Sequence, residues 1–376
     1  MKKKKVYIVF DQIPSNNSGG LVATYINLVK LLKNNYDIEI ISIFNCDDDN
    51  KKQFKNKINI INNKNIDIRF YKLFNYLKKG DFRKFLNALI SAVYYFIKIP
   101  FSKVKLRKLI KEEDRIIVSC PSAAIFMTKK RNFILEIHIN YKYFFGNNII
   151  GKMQSTMMTK PTLTLFRSKD DSDKMSKKFK SDYIYNFFDD EKLKKSDHLV
   201  KNKIVFLGRL NEIKRPIKMI ELAYKLAKIN KNFILDIYGD GPLKNEIENK
   251  IMEYKLENKV FLKGFTNYKN VYKNYSLLWL TSSIEGLPMV IIEAKANGIP
   301  AVSTNWGNAV YEVINDKKDG YITSDDNEFV KLTNDILIKE KLQKELSDNA
   351  FKNFRKFSKE NAKRRWIYFL ENYKRK

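Results

Sequence analysis

Four charged residues in the second half of the chain carry the strongest chemical signal. They are Arg209 and Lys214 in GRLNEIKRP, and Glu285 and Glu293 in SSIEGLPMVIIEAKANGIP. Arg209 follows the strand-like run KIVFLG, and Lys214 stands five residues on, ahead of a helix opened by Pro216. Two cations at the end of a strand suit a pyrophosphate, because arginine forks onto two oxygens and lysine adds a point charge. In a chain with 72 Lys and Arg the same loop also reads as solvated surface charge. The carboxylates pose a sharper question. The segment predicts a helix from Pro288 to Gly298, with Glu293 inside its apolar part between Ile292 and Ala294. EGLP leaves backbone N–H groups unpaired at the helix start, and such ends attract phosphate. Glu293 then lies about 7 Å further along the axis, at ~1.5 Å per residue, where the ribose hydroxyls of a nucleotide could meet it. Glu285, on the preceding loop, falls on the other side of that phosphate, toward a transferred sugar. The alternative is that each carboxylate pairs with a nearby lysine. A further loop, IYGDGPLKNEI, offers a glycine turn in which Asp240 caps the next helix. It reads either as ligand contact or as a structural turn.

These loops need strands and helices to hold them. KVYIVF, the turn NSGG, LVATYINLVKLLKNN at helical spacing, and DIEIISIF form a strand–helix–strand unit, which implies a parallel sheet. Residues 47–70 are polar and alternate weakly. RIIVSC, NFILEIHI and TLTLF read as further buried strands. The polar stretch 182–202 reads as the interdomain connection. A second series of strands and helices follows it, from KIVFLG to PAVST, and the chain closes on the basic amphipathic run SKENAKRRWIYFLENYKRK. In open parallel sheets ligands bind beyond the carboxyl ends of the strands, so the loops after strands are the informative places.

Length and composition agree with this division. A chain of 376 residues suits two domains, and 44% hydrophobic residues supply real cores. Cys46 and Cys120 lack CxxC spacing, which predicts free thiols in a reducing compartment. His138 and His198 lie too far apart to suggest a metal set, and Asp47–Asp49 read as a solvated loop. MKKKKVYIVF is too short in its apolar part for a secretory leader, and with no apolar run of about 18 residues the reading predicts no spanning helix. The net charge is +30. Residues 1–190 hold 36 Lys and Arg against 18 Asp and Glu, and the last 26 residues hold 10 against 2, so the excess sits in the first half and the tail. That asymmetry points to something anionic. Between residues 70 and 111, basic clusters alternate with Phe, Tyr, Leu and Ile at helical spacing. This suits a helix lying in an anionic lipid interface, or an ordinary core helix whose lysines form the wet face.

Glu285 and Glu293 form an E-x(7)-E pair that resembles the signature of retaining glycosyltransferases of the GT-B fold, in particular glycosyltransferase family four (glycosyl transferases group 1). GRLNEIKRP, YGDGPLKNEI, VFLKGF and WGNAVYEVINDKKDGYI resemble further segments of that family in the same order, over about residues 200–325. SGGLVATYINLVKLL and the Asn of IYNFFD resemble its first-half segments. The resemblance implies an α/β chain of two Rossmann-like domains facing across a cleft, with a C-terminal helix crossing back to the first. The expected division is an acceptor-binding domain at 1–187, a nucleotide-sugar-binding domain at 188–355 and a basic helix at 356–376.

The resemblance also implies residue roles. Arg209 and Lys214 would bind the donor diphosphate, Glu293 the ribose, and Glu285 with the amides of Gly286 and Leu287 the donor sugar and phosphate. Phe265 would lie near the base, Gly19 and Gly20 would approach a ligand through their backbone, and His138 would contact the transferred sugar or acceptor. The reaction implied is retaining transfer from a nucleotide sugar, most often a UDP-sugar, without metal or other cofactor. The acceptor would be a surface-polysaccharide, cell-wall or lipid-linked saccharide. The place implied is the cytoplasm, peripheral on the inner face of the membrane. A catalytically silent accessory partner of another transferase and a nucleotide-sugar epimerase are the competing readings. A nucleic-acid binder is suggested by charge alone and lacks an aromatic-basic readout motif.

Overall fold

The computed structural model describes residues 3–13, 20–46, 48–52, 54, 56–66, 76–77, 80–145, 155–188, 201–265 and 271–374. Gly19, Asp47, His198, most of the expected connection at 182–202 and much of 67–79 lie outside the described residues. The chain divides into two compact units, Met1–Ile184 with Lys363–Lys376, and Tyr185–Ala362.

The first unit holds seven strands: β1 (Lys4–Phe10), β2 (Tyr36–Asn45), β3 (Ile58–Asn65), β4 (Arg115–Val118), β5 (Ile134–Ile137), β6 (Leu163–Phe166) and β7 (Ser181–Tyr183). All pair in parallel, in the order β3-β2-β1-β4-β5-β6-β7. The central runs are apolar on both faces: Ile8 and Ile40 on one face, and Val9 and Ile41 on the other, are fully buried. That is what a parallel sheet covered on both sides demands. The two edges are where the sequence reading departs. β3 lies within the weakly alternating 47–70, and β7 runs from Ser181 into the stretch read as interdomain connection. An edge strand has one solvated side and needs no apolar run, so neither carried the pattern of a buried strand. Helix α1 (Gly20–Leu32) follows β1, and the 28-residue helix α2 (Phe82–Leu109) lies between β3 and β4. By length and composition α2 could cross a bilayer, contrary to the expectation of no such helix. Lys98 and Pro100 break the apolar run in the sequence without ending the helix.

The second unit repeats the plan with β8 (Lys203–Leu207), β9 (Ile234–Tyr238), β10 (Val260–Gly264), β11 (Leu277–Leu280), β12 (Ala301–Thr304) and β13 (Gly320–Thr323). The order is β10-β9-β8-β11-β12-β13, again parallel. Its longer helices are α3 (Pro216–Ile229), α4 (Lys244–Glu253), α5 (Met289–Ala296), α6 (Asp326–Ile338) and α7 (Glu340–Asn353). Two apolar clusters cover the sheet. One is built on Phe206, Phe233 and Trp279, the other on Leu278, Ile291 and Val310. Both sheets therefore reverse their winding once, between β1 and β4 and between β8 and β11.

The last helix, α8 (Lys359–Asn372), returns the chain to the first unit. There Glu371 accepts from Tyr36 Oη at 2.9 Å, from Arg115 Nη2 at 2.9 Å and from Lys4 Nζ at 2.5 Å. The Tyr373 hydroxyl accepts from the Ile116 amide at 3.1 Å, and Trp366, Phe369 and Leu370 are buried.

Candidate active site

The loops that leave the carboxyl edge of the second sheet are knitted together by backbone bonds. The Gly208 amide donates to Tyr238 O (3.0 Å), the Leu210 amide to Asp240 O (3.0 Å), and the Gly239 amide to Gly264 O (2.9 Å). Glycine is required for this closeness. A Cβ on Gly239, whose φ is +148°, would collide with the carbonyl of Gly208, and one on Gly241 with that of Leu210. The GDG turn thus serves backbone approach. Asp240 does not cap the following helix as expected. Its carboxylate accepts from the Gly241 amide at 2.8 Å, while α4 starts behind Leu243 with no side-chain cap.

Across the reversal, the β8 and β11 loops are stitched in the same way. Asn211 caps a single 3-10 turn, Glu212–Lys214, and Arg215 adopts a left-handed φ of 49° before Pro216 opens α3. Thr281 Oγ1 donates to Lys214 O at 2.8 Å, and the Ser283 amide donates to Ile213 O at 2.8 Å. Thr304 Oγ1 fixes the same segment from β12 by donating to Ser282 O at 2.8 Å. These bonds bring Lys214 and Glu285, 71 positions apart, into an ion pair, and Ser282 Oγ donates to the same carboxylate oxygen at 2.5 Å. Of the two readings left open for the carboxylates, lysine pairing therefore holds for Glu285. It does not hold for Glu293, whose Oε2 accepts from Tyr272 Oη at 2.7 Å. Burial pushes the Glu293 carboxyl above its ordinary range, and the Tyr272 hydrogen bond opposes the shift. Among the described residues each carboxylate has one oxygen held in this way.

Arg209 stands at the end of β8 with an exposed side chain, and among the described residues its guanidinium makes no hydrogen bond or ion pair. Helix α5 starts at Met289 with Pro288 as its cap residue, so Gly286 and Leu287 immediately precede it, both buried. Phe265 follows β10 with 78% of its surface exposed. Arg209, Lys214, Phe265, Glu285, Gly286, Leu287 and Glu293 thus all belong to one unit and cluster at its carboxyl edge or on the helix that leaves it.

Two supporting residues carried no signal of their own. Tyr272 sits in a short 3-10 turn, and Ser282 three residues before Glu285. Asn186 was visible only through the family resemblance. Its buried amide donates to Leu287 O at 2.9 Å, and its Oδ1 has no partner among the described residues.

His138 and Gly20 belong to the first unit; Gly19 is outside the described residues. Gly20 opens α1. His138 follows β5 and is tethered on every side. Nε2 lies 2.8 Å from Tyr25 Oη and 3.2 Å from Arg167 Nη2, and Arg167 Nε is 3.3 Å from Nδ1. Burial first and Arg167 second push its pKa well below the usual range, so the imidazole is neutral. Arg167 in turn pairs with Glu136, which is fully buried. At the β1/β4 reversal, Ser122 Oγ donates to the buried Asp11, and Cys120 Sγ lies 3.2 Å from Ser122 Oγ. Cys120 is not in a disulfide, and burial pushes its thiol up to about 12, which leaves it protonated and unreactive.

Residues 188–353 match the family model of glycosyl transferases group 1. The match falls within the second unit and marks the chain as a glycosyltransferase. This glycosyltransferase is 27% identical over 320 residues to a Campylobacter jejuni GalNAc-alpha-(1->4)-GalNAc-alpha-(1->3)-diNAcBac-PP-undecaprenol alpha-1,4-N-acetyl-D-galactosaminyltransferase, covering 81% of this chain and 88% of that one. It is 25% identical to the amylovoran biosynthesis glycosyltransferase AmsD of Erwinia amylovora, over 96% of this chain and 98% of the relative. Among solved structures, S. aureus TarM in complex with fondaparinux, alpha-GlcNAc-glycerol and UDP superposes with a TM-score of 0.75 at 16% identity, covering 98% of this chain and all of that one. That likeness establishes the two-domain GT-B fold.

Proposed function

We propose that this glycosyltransferase moves a sugar, with retention of anomeric configuration, from a UDP-sugar to a saccharide acceptor in surface-polysaccharide or lipid-linked glycan assembly, without a metal ion. The observation that carries the reading is the gathering of Arg209, Lys214, Glu285 and Glu293 on one unit, at its sheet edge or on the helix that leaves it, with the Arg209 guanidinium unpaired among the described residues. Retention rests on the E-x(7)-E spacing of the two carboxylates. The choice of UDP and of a glycan acceptor rests on what TarM holds and on what the two bacterial relatives are named for.

In such a transfer the bond between the anomeric carbon and the diphosphate breaks, a bond to an acceptor hydroxyl oxygen forms as that hydroxyl's proton passes to the departing diphosphate, and negative charge grows on the diphosphate before the proton arrives. Fixed cations and amides aimed at that charge lower the barrier without reorganising. Arg209 supplies a planar fork for two phosphate oxygens. Lys214 is held by its loop so that its ammonium can serve the diphosphate and Glu285 together. The Gly286 and Leu287 amides, ahead of α5, add the positive end of a helix. Glu293, one oxygen held by Tyr272, accepts ribose hydroxyls. His138 is neutral, and with both ring nitrogens engaged by Tyr25 and Arg167 it would meet sugar or acceptor through its ring edge and the groups that hold it.

The test is turnover of UDP-sugars with and without saccharide acceptors, with the product anomer read by NMR. The expected result is acceptor-dependent UDP release, a product that keeps the donor's configuration, and a rate unchanged by EDTA. Inverted product, loss of activity on chelation with rescue by Mn²⁺, or donor isomerisation without acceptor would each overturn the corresponding part.

A further inference from the structure

Helix α2 is built with two faces. Ala88, Ala92, Tyr95, Ser102 and Leu106 are buried. Tyr95 stacks on Phe44 at 5.4 Å, meets Phe126 edge-on at 5.0 Å and donates to Ser122 O at 3.1 Å. Asn62 Nδ2 donates to Ser102 Oγ at 3.0 Å, and Lys105 Nζ to Ile61 O at 2.9 Å. A second series, Leu86, Ile90, Val93, Ile97, Phe101 and Val104, runs at the same spacing but two residues out of step. At about 100° per residue this puts it on the opposite side. These six side chains expose 49–60% of their surface. The helix carries seven Lys and Arg and no Asp or Glu. Arg83, Lys98, Lys105 and Lys108 lie on or toward one flank of the exposed stripe and Arg107 toward the other, while Lys84 falls on the opposite side and pairs with the cap residue Asp81 at 2.6 Å.

An exposed apolar stripe of this length marks an interaction surface. We propose that α2 docks this glycosyltransferase on an anionic lipid bilayer, lying in the plane of the interface with the stripe in the acyl boundary and its cations among the headgroups. Charge decides between occupants. Two copies packed stripe to stripe would bring seven cations against seven, whereas anionic headgroups complement them. The buried face decides against a spanning helix, because crossing would strip Tyr95, Ser102 and Leu106 from the sheet. The first unit would thereby be held at the surface from which a lipid-linked acceptor projects.

The experiment is co-sedimentation of the full chain with phosphatidylglycerol vesicles and with phosphatidylcholine vesicles, at low and high salt. It needs neither donor nor acceptor, so its failure leaves the transferase reading standing, and the converse also holds. The expected result is sedimentation with phosphatidylglycerol at low salt, weakened by salt and by neutral lipid. A Val93→Glu/Ile97→Glu variant should lose about tenfold or more in partitioning, while its melting temperature and its transfer to a soluble acceptor stay put. The proposal falls if the wild type remains in the supernatant with phosphatidylglycerol at low salt, or if the variant sediments like it. It also falls if carbonate fails to extract the bound chain, or if light scattering shows a dimer that the variant dissociates. Should the variant melt early, an environment-sensitive fluorophore on Ile97→Cys replaces it. A blue shift with phosphatidylglycerol supports docking, and unmoved emission overturns it.

Discussion

Both sheets are parallel and both reverse their strand order once, yet the polar groups at their carboxyl edges are disposed differently. In the first unit they close on one another: Asp11 on Ser122, His138 on Tyr25 and Arg167, Arg167 on Glu136. Burial has driven them toward neutrality or into tight pairs. In the second unit the backbone does the closing. Carbonyls and amides of the β8, β9, β10 and β11 loops bind each other, and the side chains are left with capacity to spare. The Arg209 guanidinium is exposed and unpaired among the described residues. Charge that is already neutralised locally has little to offer a ligand; on the second edge Lys214 is paired with Glu285, and it is Arg209 whose charge is left over among the described residues. The same topology therefore supports a hydrogen-bonding wall in one unit and a charged cradle in the other.

The largest effect should come from opening the closed side. Arg167→Ala leaves the fully buried Glu136 without its cation, a change that typically costs about 3–5 kcal/mol. We expect the melting transition of the first unit to drop by several degrees, and Arg167→Met with Glu136→Leu to recover much of the loss. Wild-type melting in Arg167→Ala would show that the cluster is not a closed ion pair. Next in size, Arg209→Ala on the open side should leave melting unchanged while reducing kcat/KM by a charge-assisted contact, about 1.5–3 kcal/mol. A drop in melting temperature there, or transfer at the wild-type rate, would erase the contrast between the two edges.

The open side was the more legible in sequence, for a physical reason. Arg209, Lys214, Glu285 and Glu293 sit at strand ends and a helix start, and short-range patterns mark such places. Ten of the thirteen strands among the described residues were apolar runs in a chain whose central strands must be buried on both faces; β3, β7 and β13, all at sheet edges, carried no such pattern. What holds the site was hidden. Tyr272 and Ser282 act through side-chain contacts that only the packed fold creates, and the Arg167–Glu136 pair joins residues 31 positions apart. Lys214 with Glu285 shows the limit well: both were singled out, but their ion pair depends on Thr281 and Ser283 stitching two loops together.

Glu293 offers a finer test, because burial strains it. Its folded-state pKa is raised, so the ionised form is the one that folding penalises. Glu293→Gln removes that penalty. The variant should gain about 0.5–2 kcal/mol in stability at neutral pH, as happens when a functional charge is neutralised, while losing transfer. The gain should be full above the raised pKa and shrink as pH falls toward the unfolded carboxyl range, where the wild type is neutral in both states. A Glu293→Gln variant that melts below wild type at neutral pH would mean that Tyr272 and its surroundings hold the carboxylate more firmly than they strain it.

The smallest effect belongs to Glu371, which extends the paired character of the first unit to the returning tail. Lys4, Tyr36 and Arg115 converge on its carboxylate and hold its pKa down to about 2, against an ordinary value of 4.5, although partial burial works the other way. A depressed carboxyl contributes stability above its unfolded pKa and loses it as pH falls through the folded one. Glu371→Gln should therefore melt slightly below wild type at neutral pH, by no more than about 1 kcal/mol because the cluster is partly exposed and screened. The gap should hold down to about pH 4.5 and close between there and about pH 2. Thermal melts of the two proteins across that range, at low and high salt, measure it directly. A gap that persists at pH 2 would assign the contribution of Glu371 to packing of α8 against β1 and β4 and take it out of the electrostatic ledger. A gap at neutral pH that vanishes at high salt would place the interaction in the exposed Lys4 pair and leave Arg115 without a share in anchoring the tail.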